Sequence, residues 1–282
     1  MKKLLLLFLA FATITSVNAQ LETPAPSPSS KLEQKVGLTD VTIEYSRPSV
    51  KGRTIFGDLV PYDTMWRTGA NKNTMITFST DATIDGQTLK AGSYAIFTKP
   101  GKETWDVYFY SDTNNWGTPQ EWDDSKVAAK TNVKAYPMPF SVETFTMGIG
   151  NITNGGATID ILWDNVYAGV DFTVPTDEAV VASINAIMNG PSANDYFAAA
   201  MYYMQEGKDI QKAKEWIDKS VAMTKDQPRF WVLRNQSLIH AKAGNKTTAI
   251  AAAKKSLELA EKAGNADYVK MNKDSLKEWG AI

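Results

Sequence analysis

From Lys31 to Val174 the apolar residues of this chain recur, run after short run, at every second position, and beyond Val174-Pro175 at every 3.6 positions. Alternation places one face of a strand in a core, whereas a 3.6 period places one stripe of a helix there. A chain carrying the first pattern and then the second is therefore expected to be multidomain, β then α. The expected architecture is an antiparallel β-sandwich or barrel-like domain at 31–175, followed by an α-helical hairpin array at 176–282. A length of 282 residues accommodates two ordinary domains.

Within the first part, Val41, Ile43 and Tyr45 alternate with Thr42 and Glu44, and Thr74, Ile76 and Phe78 alternate with Met75 and Thr77. Asp85-Gly86 between short apolar runs predicts a tight hairpin. Tyr94, Ile96 and Thr98 form the next strand, and Lys99-Pro100-Gly101 reads as a turn with glycine at positive φ. Trp105, Val107 and Phe109 follow, then Phe145, Met147 and Ile149. Ala157, Ile159, Ile161 and Trp163 predict a strand that pairs back with 166–174 across Asp164-Asn165. The stretch 111–139 lacks clean alternation and reads as a long loop, with one helical turn near 122–129.

In the second part, helices are expected from Thr176 and over 195–206, 210–223, 229–243, 247–263 and 266–279, with Gly207, Gly244 and Gly264 as stops. Ala213 with Ser220 recurs as Ala249 with Ser256, a spacing of 36. This is close to the tetratricopeptide period of about 34 residues, in which small residues let paired helices approach. A tetratricopeptide-like stack of helix pairs is the expected form.

Residues 1–19 read as a signal peptide: Lys2 and Lys3, an apolar run, then Val17-Asn18-Ala19 as a cleavage box. The run is too short to span a bilayer, so the mature chain is expected to be exported, to the periplasm or beyond, with no transmembrane segment. Residues 20–30 hold Pro24, Pro26 and Pro28 among small polar residues, an extended linker. The net charge is −1, and losing Lys2 and Lys3 makes it −3, which is no nucleic-acid signature. There is no cysteine and one histidine, His240, which excludes disulfides, thiolate sites and multi-histidine zinc sites. No metal site and no cofactor is expected.

The candidate chemistry concentrates in YSRPSVKGRTIFGDLVPYDTMWRTGAN, residues 45–71. The chain has five arginines, and Arg47, Arg53 and Arg67 all lie here, interleaved with Tyr62 and Trp66 and followed by Asn71. A guanidinium presents a planar fork of donors and stacks on aromatic faces. These six residues are the candidate binding set for an anionic or glycan ligand. The competing reading is structural: the arginines pair with Asp58 and Asp63 and lock a long loop onto the sheet.

The same motifs carry a resemblance. SRPSVKGRTIFG, LVPY, WRTGAN, GSYAIFTKPG and NWG, in that order, resemble the bacterial domain-of-unknown-function family 2911 over about 32–174. The resemblance implies an exported β-domain, sometimes followed by helical repeats, and no assigned activity.

Trp116 and Trp122, near Asp112, Asn114, Asn115 and Gln120, could stack on sugar rings or anchor their own loop. Glu121, Asp123 and Asp124 flank Trp122, but glycoside hydrolysis needs two carboxylates facing across a cleft. The run from Asp112 resembles the start of a calcium loop, with tryptophan at its fifth position and Asp123 in place of the twelfth-position glutamate. That spacing is broken for calcium. Tyr202, Tyr203, Trp216 and Trp231 at helical spacing predict core, and His240 predicts a packing role.

Three functions remain in view. The first is a non-catalytic ligand-binding or interaction protein of the cell envelope, whose helices dock a protein partner. The second is a purely structural adaptor. The third is a carboxylate-dependent polysaccharide-active enzyme.

Overall fold

A computed structural model describes residues 23–188 and 190–282; the expected signal peptide lies outside them. The chain divides into two compact units between Pro175 and Thr176.

The first unit is one antiparallel sheet. Its strands are β1 (Ser29–Val36), β2 (Thr39–Ser46), β3 (Thr74–Phe78), β4 (Ala82–Ile84), β5 (Gln87–Leu89), β6 (Gly92–Pro100), β7 (Thr104–Tyr110), β8 (Val127–Gly150) and β9 (Gly156–Thr173). The order across the sheet is β1-β2-β3-β6-β7-β8-β9-β4-β5. The 24-residue β8 joins the two wings: it runs along β7 as far as Lys134 and along β9 from Ala135 onward. Its register shifts on either side of Val142, and there the sheet turns over the larger of the unit's two hydrophobic clusters. Ile43, Ile76 and Val107 of one wing join Met147, Ile159 and Trp163 of the other in that core.

The alternating strands form where the periodicity predicts them. Asp85 and Gly86 both have positive φ, as a two-residue hairpin turn requires. Three expectations are corrected. First, 127–139 is not loop but the first half of β8. Only small residues, Ala129, Thr131 and Ala135, are buried on it, so its alternation is faint. The irregular stretch ends with one 3₁₀ turn, Asp124–Lys126. Second, the chain does not reverse at Asp164-Asn165. Asp164 has φ 48°, but it serves a bulge opposite Val142, and β9 continues through it to Thr173, 18 residues in all. Third, the strand runs on through Pro100, and Gly101 is not at positive φ. Glycine is needed there because a Cβ would stand 2.6 Å from the Thr104 carbonyl oxygen.

The second unit holds α1 (Thr176–Ile187), α2 (Ala193–Gln205), α3 (Ile210–Met223), α4 (Phe230–Lys242), α5 (Lys246–Lys262) and α6 (Ala266–Glu278). Gly207, Gly244 and Gly264 end α2, α4 and α5 at positive φ. The repeat has a physical basis. Ser220 on α3 donates its hydroxyl to the Ala193 carbonyl at the start of α2 (2.8 Å). Ser256 on α5 does the same to Phe230 at the start of α4 (2.7 Å). Ala213 and Ala249, both fully buried, keep each pair close. Tyr203 and Trp216 are core, whereas Trp231 stays 39% exposed. His240 is buried with Nε2 2.8 Å from Asp218, which also accepts from Gln236. No described helix is long and apolar enough to cross a membrane.

Candidate functional site

Between β2 and β3 the chain spends residues 47–73 on an irregular segment, which it stitches to the sheet at both flanks. Val50 N–H donates to Glu143 O, and Phe145 N–H donates to Pro48 O, each 2.8 Å. Trp66 and Thr98 exchange two backbone hydrogen bonds, 2.7 and 2.9 Å, just beyond the last β3–β6 pair. The segment's own Ile55, Phe56 and Val60 are buried in the core. Trp66 stacks on Trp163 (5.8 Å, 17°) and meets Phe56, Trp105 and Phe145 edge-on.

Such a path demands unusual backbone. Of the seven described non-glycine residues at positive φ, four are Lys51, Asp63, Thr68 and Asn71. Thr68, a β-branched residue at φ 54°, is the costliest of these. It is held by full burial, by its hydroxyl bond to Thr98 (3.1 Å) and by the Thr74 hydroxyl on its carbonyl. Gly69 follows at φ 137°, where a Cβ would stand 3.0 Å from the Ser46 carbonyl oxygen. Conformational cost concentrated in one segment is typical of sites whose geometry matters.

The segment walls a cleft of about 530 Å³. Lys51, Arg53 and Arg67 line it with Trp66, Asn71 and Trp163, beside Pro26 and Ser27 of the linker. The lining contains three cations and no carboxylate. Among the described residues, no ion pair within 4.0 Å engages an arginine or Lys51. The Glu143 carboxylate accepts from the Lys51 backbone amide (2.9 Å). The pairing of arginines with Asp58 and Asp63 is thus corrected: both aspartates are exposed, and the guanidinium donors go to carbonyls left over by the turns. Arg53 Nε donates to Val50 O (3.0 Å) and its Nη2 to Ser49 O. Arg67 Nη1 donates to Asn71 O (3.0 Å).

Of the six candidates, the structure brings Arg53, Trp66, Arg67 and Asn71 together at the cleft. Arg47 and Tyr62 stand outside its lining. Arg47 clips two distant strands, donating through Nε to Phe145 O (3.0 Å) and through Nη2 to Thr146 Oγ1 (2.8 Å). Tyr62 packs on the core beside Gly57, with Lys102 Nζ over its ring. Sequence reasoning passed over Lys51, although it lies in the same motif. It also read Trp163 as core alone. Trp163 is 2% exposed, yet it lines the cleft as well, and its Nε1 is buried without a hydrogen-bond partner.

The loop 111–123 meets this site through Gly117, where a Cβ would lie 3.3 Å from Arg67 Nη1. Its two tryptophans part company. Trp122 stacks on Tyr110 (4.6 Å) against Phe97 and donates to Asp124 (2.8 Å). Trp116 is 79% exposed. Two of the loop carboxylates, Asp112 and Asp123, are engaged locally. Asp112 is held below the usual carboxylate range by the Asn114 amide and Lys126. Asp123 is held below it by the Ser125 hydroxyl and amide, as the cap of the 3₁₀ turn.

A family model described as "Protein of unknown function (DUF2911)" matches residues 27–172, from Ser27 at the edge of the cleft to Phe172 near the end of β9. No curated protein and no solved structure matches the chain.

Proposed function

The chain belongs to the DUF2911 family, and on the chemistry of the cleft we propose that its β-domain is a non-catalytic binding module for an anionic ligand, carried by an exported protein. The observation that carries this reading is a cleft with Lys51, Arg53 and Arg67 on its walls, no acidic side chain among its lining, and the Trp66–Trp163 stack beneath. Cations collected without counter-ions repel one another, and a bound carboxylate, sulfate or phosphate relieves that repulsion. The guanidinium fork suits such oxygens in pairs. Each arginine uses only part of its five donors on carbonyls, which orients it and leaves the rest for a ligand. Export rests on the basic, apolar and small-residue pattern of 1–19.

A thermal-shift screen of the mature chain against sulfate, phosphate, carboxylates and uronic acids tests the reading, because a ligand of the native state raises the unfolding midpoint by mass action. A saturable rise that Arg53→Gln and Arg67→Gln both remove supports it. A flat response across the panel defeats it.

A further inference from the structure

We propose that the anion bound in this cleft is the acid group of a saccharide, and that exposed Trp116 is the platform on which its sugar ring stacks. The inference rests on the anion-binding reading above and names the ligand class of that site.

Trp116 is the most exposed of the large apolar residues described, at 79%. Its exposure is not the looseness of an untethered loop, because both neighbours are fixed. Asn115 N–H donates to Asn73 Oδ1 (3.0 Å), and Asn73 N–H donates back to Asn115 O (3.1 Å). Asn115 Nδ2 adds a bond to Asp112 O (3.0 Å), and the Asp112–Lys126 ion pair closes the loop's base. On the other side Gly117 is buried against the Arg67 guanidinium. Its φ of 106° belongs to the glycine-favouring region, so this close approach is built into the loop. The base of the Trp116 side chain is therefore one residue, about 3.8 Å along the chain, from the glycine whose lack of a Cβ leaves room for a cleft cation. The backbone that carries the indole is thus already ordered, so binding has only the side-chain torsions of Trp116 left to fix.

The groups around it match one ligand chemistry. A pyranose offers an apolar C–H face to an indole, hydroxyls to amides and, when oxidised, a carboxylate to arginine. The indole is Trp116 and the arginine is Arg67. Asn114 is exposed beside Trp116, and Asn71 at the cleft uses its Nδ2 on Ser27 O and Ser46 Oγ, leaving Oδ1 as an acceptor for a hydroxyl. A simple inorganic anion has no use for the indole, and an acidic peptide, which can bond to the same amides, lacks the flat C–H face that a pyranose lays on it.

Calorimetric titration of the mature chain with a linear tri-uronide, its neutral trisaccharide counterpart, an aspartate-rich tripeptide and sodium acetate tests this. The tri-uronide is expected to bind at least tenfold more tightly than acetate. Trp116→Ala is expected to remove about tenfold, ~1.4 kcal/mol, from the uronide while leaving acetate unchanged. Arg67→Gln is expected to weaken both. Equal affinities for uronide and acetate, insensitivity of the uronide to Trp116→Ala, or tighter binding of the peptide would each overturn the saccharide assignment while leaving an anion cleft in place. Absence of binding by every anion would overturn the cleft as well.

Discussion

Arg47 and Arg67 sit twenty residues apart in one motif, and the structure gives them different contacts, which a pair of substitutions separates. Arg47→Ala removes two charge-assisted hydrogen bonds, to Phe145 O and Thr146 Oγ1, that tie the end of β2 to β8. At a half-buried position each contributes about 1–1.5 kcal/mol after exchange with water, so the variant should lose about 2–3 kcal/mol. Arg67→Ala removes one bond, to the carbonyl of exposed Asn71, plus packing on Gly117, and should lose about 1 kcal/mol or less. For a domain of this size 1 kcal/mol moves the midpoint by about 2–4 °C. Scanning calorimetry of the full chain should therefore show the β-unit transition lowered by about 5–10 °C in Arg47→Ala and by no more than about 4 °C in Arg67→Ala. The helical transition should stay in place in both. If Arg67→Ala costs as much as Arg47→Ala, Arg67 is a lock and its assignment to a ligand site fails.

Other perturbations reach the rest of the molecule. Ser256 donates to Phe230 O and accepts from Asn272 Nδ2 (2.9 Å), whereas Ser220 makes only the first kind of bond. Ser256→Ala should cost about 2 kcal/mol and Ser220→Ala about 1 kcal/mol in urea unfolding followed by helical circular dichroism, and the reverse order would contradict the repeat geometry. Burial, then its hydrogen bond to Asp160, pushes the Tyr167 phenol up from 10.0 to about 12. A phenol raised in the fold favours the protonated native form. Its stabilising effect is complete below the unfolded value and is lost as pH rises through about 12. The ring-carbon NMR signal of Tyr167 should hold still at pH 10.5, and a midpoint near 10 would mean that the contact is absent in solution.

The fold was legible wherever one side of an element was apolar and the other polar. Ile43, Ile76 and Val107 announced their strands, and Ile217, Ile239 and Ala249 their helices, because water on one face and core on the other leaves a period in the sequence. The first half of β8 was hidden because Ala129, Thr131 and Ala135 bury little area each. Asp164 looked like a hairpin because a left-handed residue serves a bulge as well as a turn, and only the pairing partner distinguishes them. The arginine motif marks the segment that walls the cleft, yet three arginines in one motif do not reveal which of them line it. Arg47 is spent on β8 while Arg53 and Arg67 face the cleft, and that division depends on contacts nearly a hundred residues away in sequence. The same holds for Trp116 and Trp122, six positions apart, one in water and one on Tyr110.

The cleft itself is tested most directly by following indole and guanidinium N–H signals in a two-dimensional NMR titration of the mature chain with sulfate and then a uronic acid. The chain has eight tryptophans, so each indole signal is assignable by single Trp→Phe variants. The account predicts saturable shifts at Trp66 and Trp163, which line the cleft, and at the Nε of Arg53 and Arg67, with Trp216 of the helical unit unmoved. It also predicts that Arg53→Gln with Arg67→Gln removes them. Signals at Trp66, Trp163 and both arginines that stay still at saturating anion, or that drift no more than Trp216 does, would show that these cations hold the loop and bind nothing.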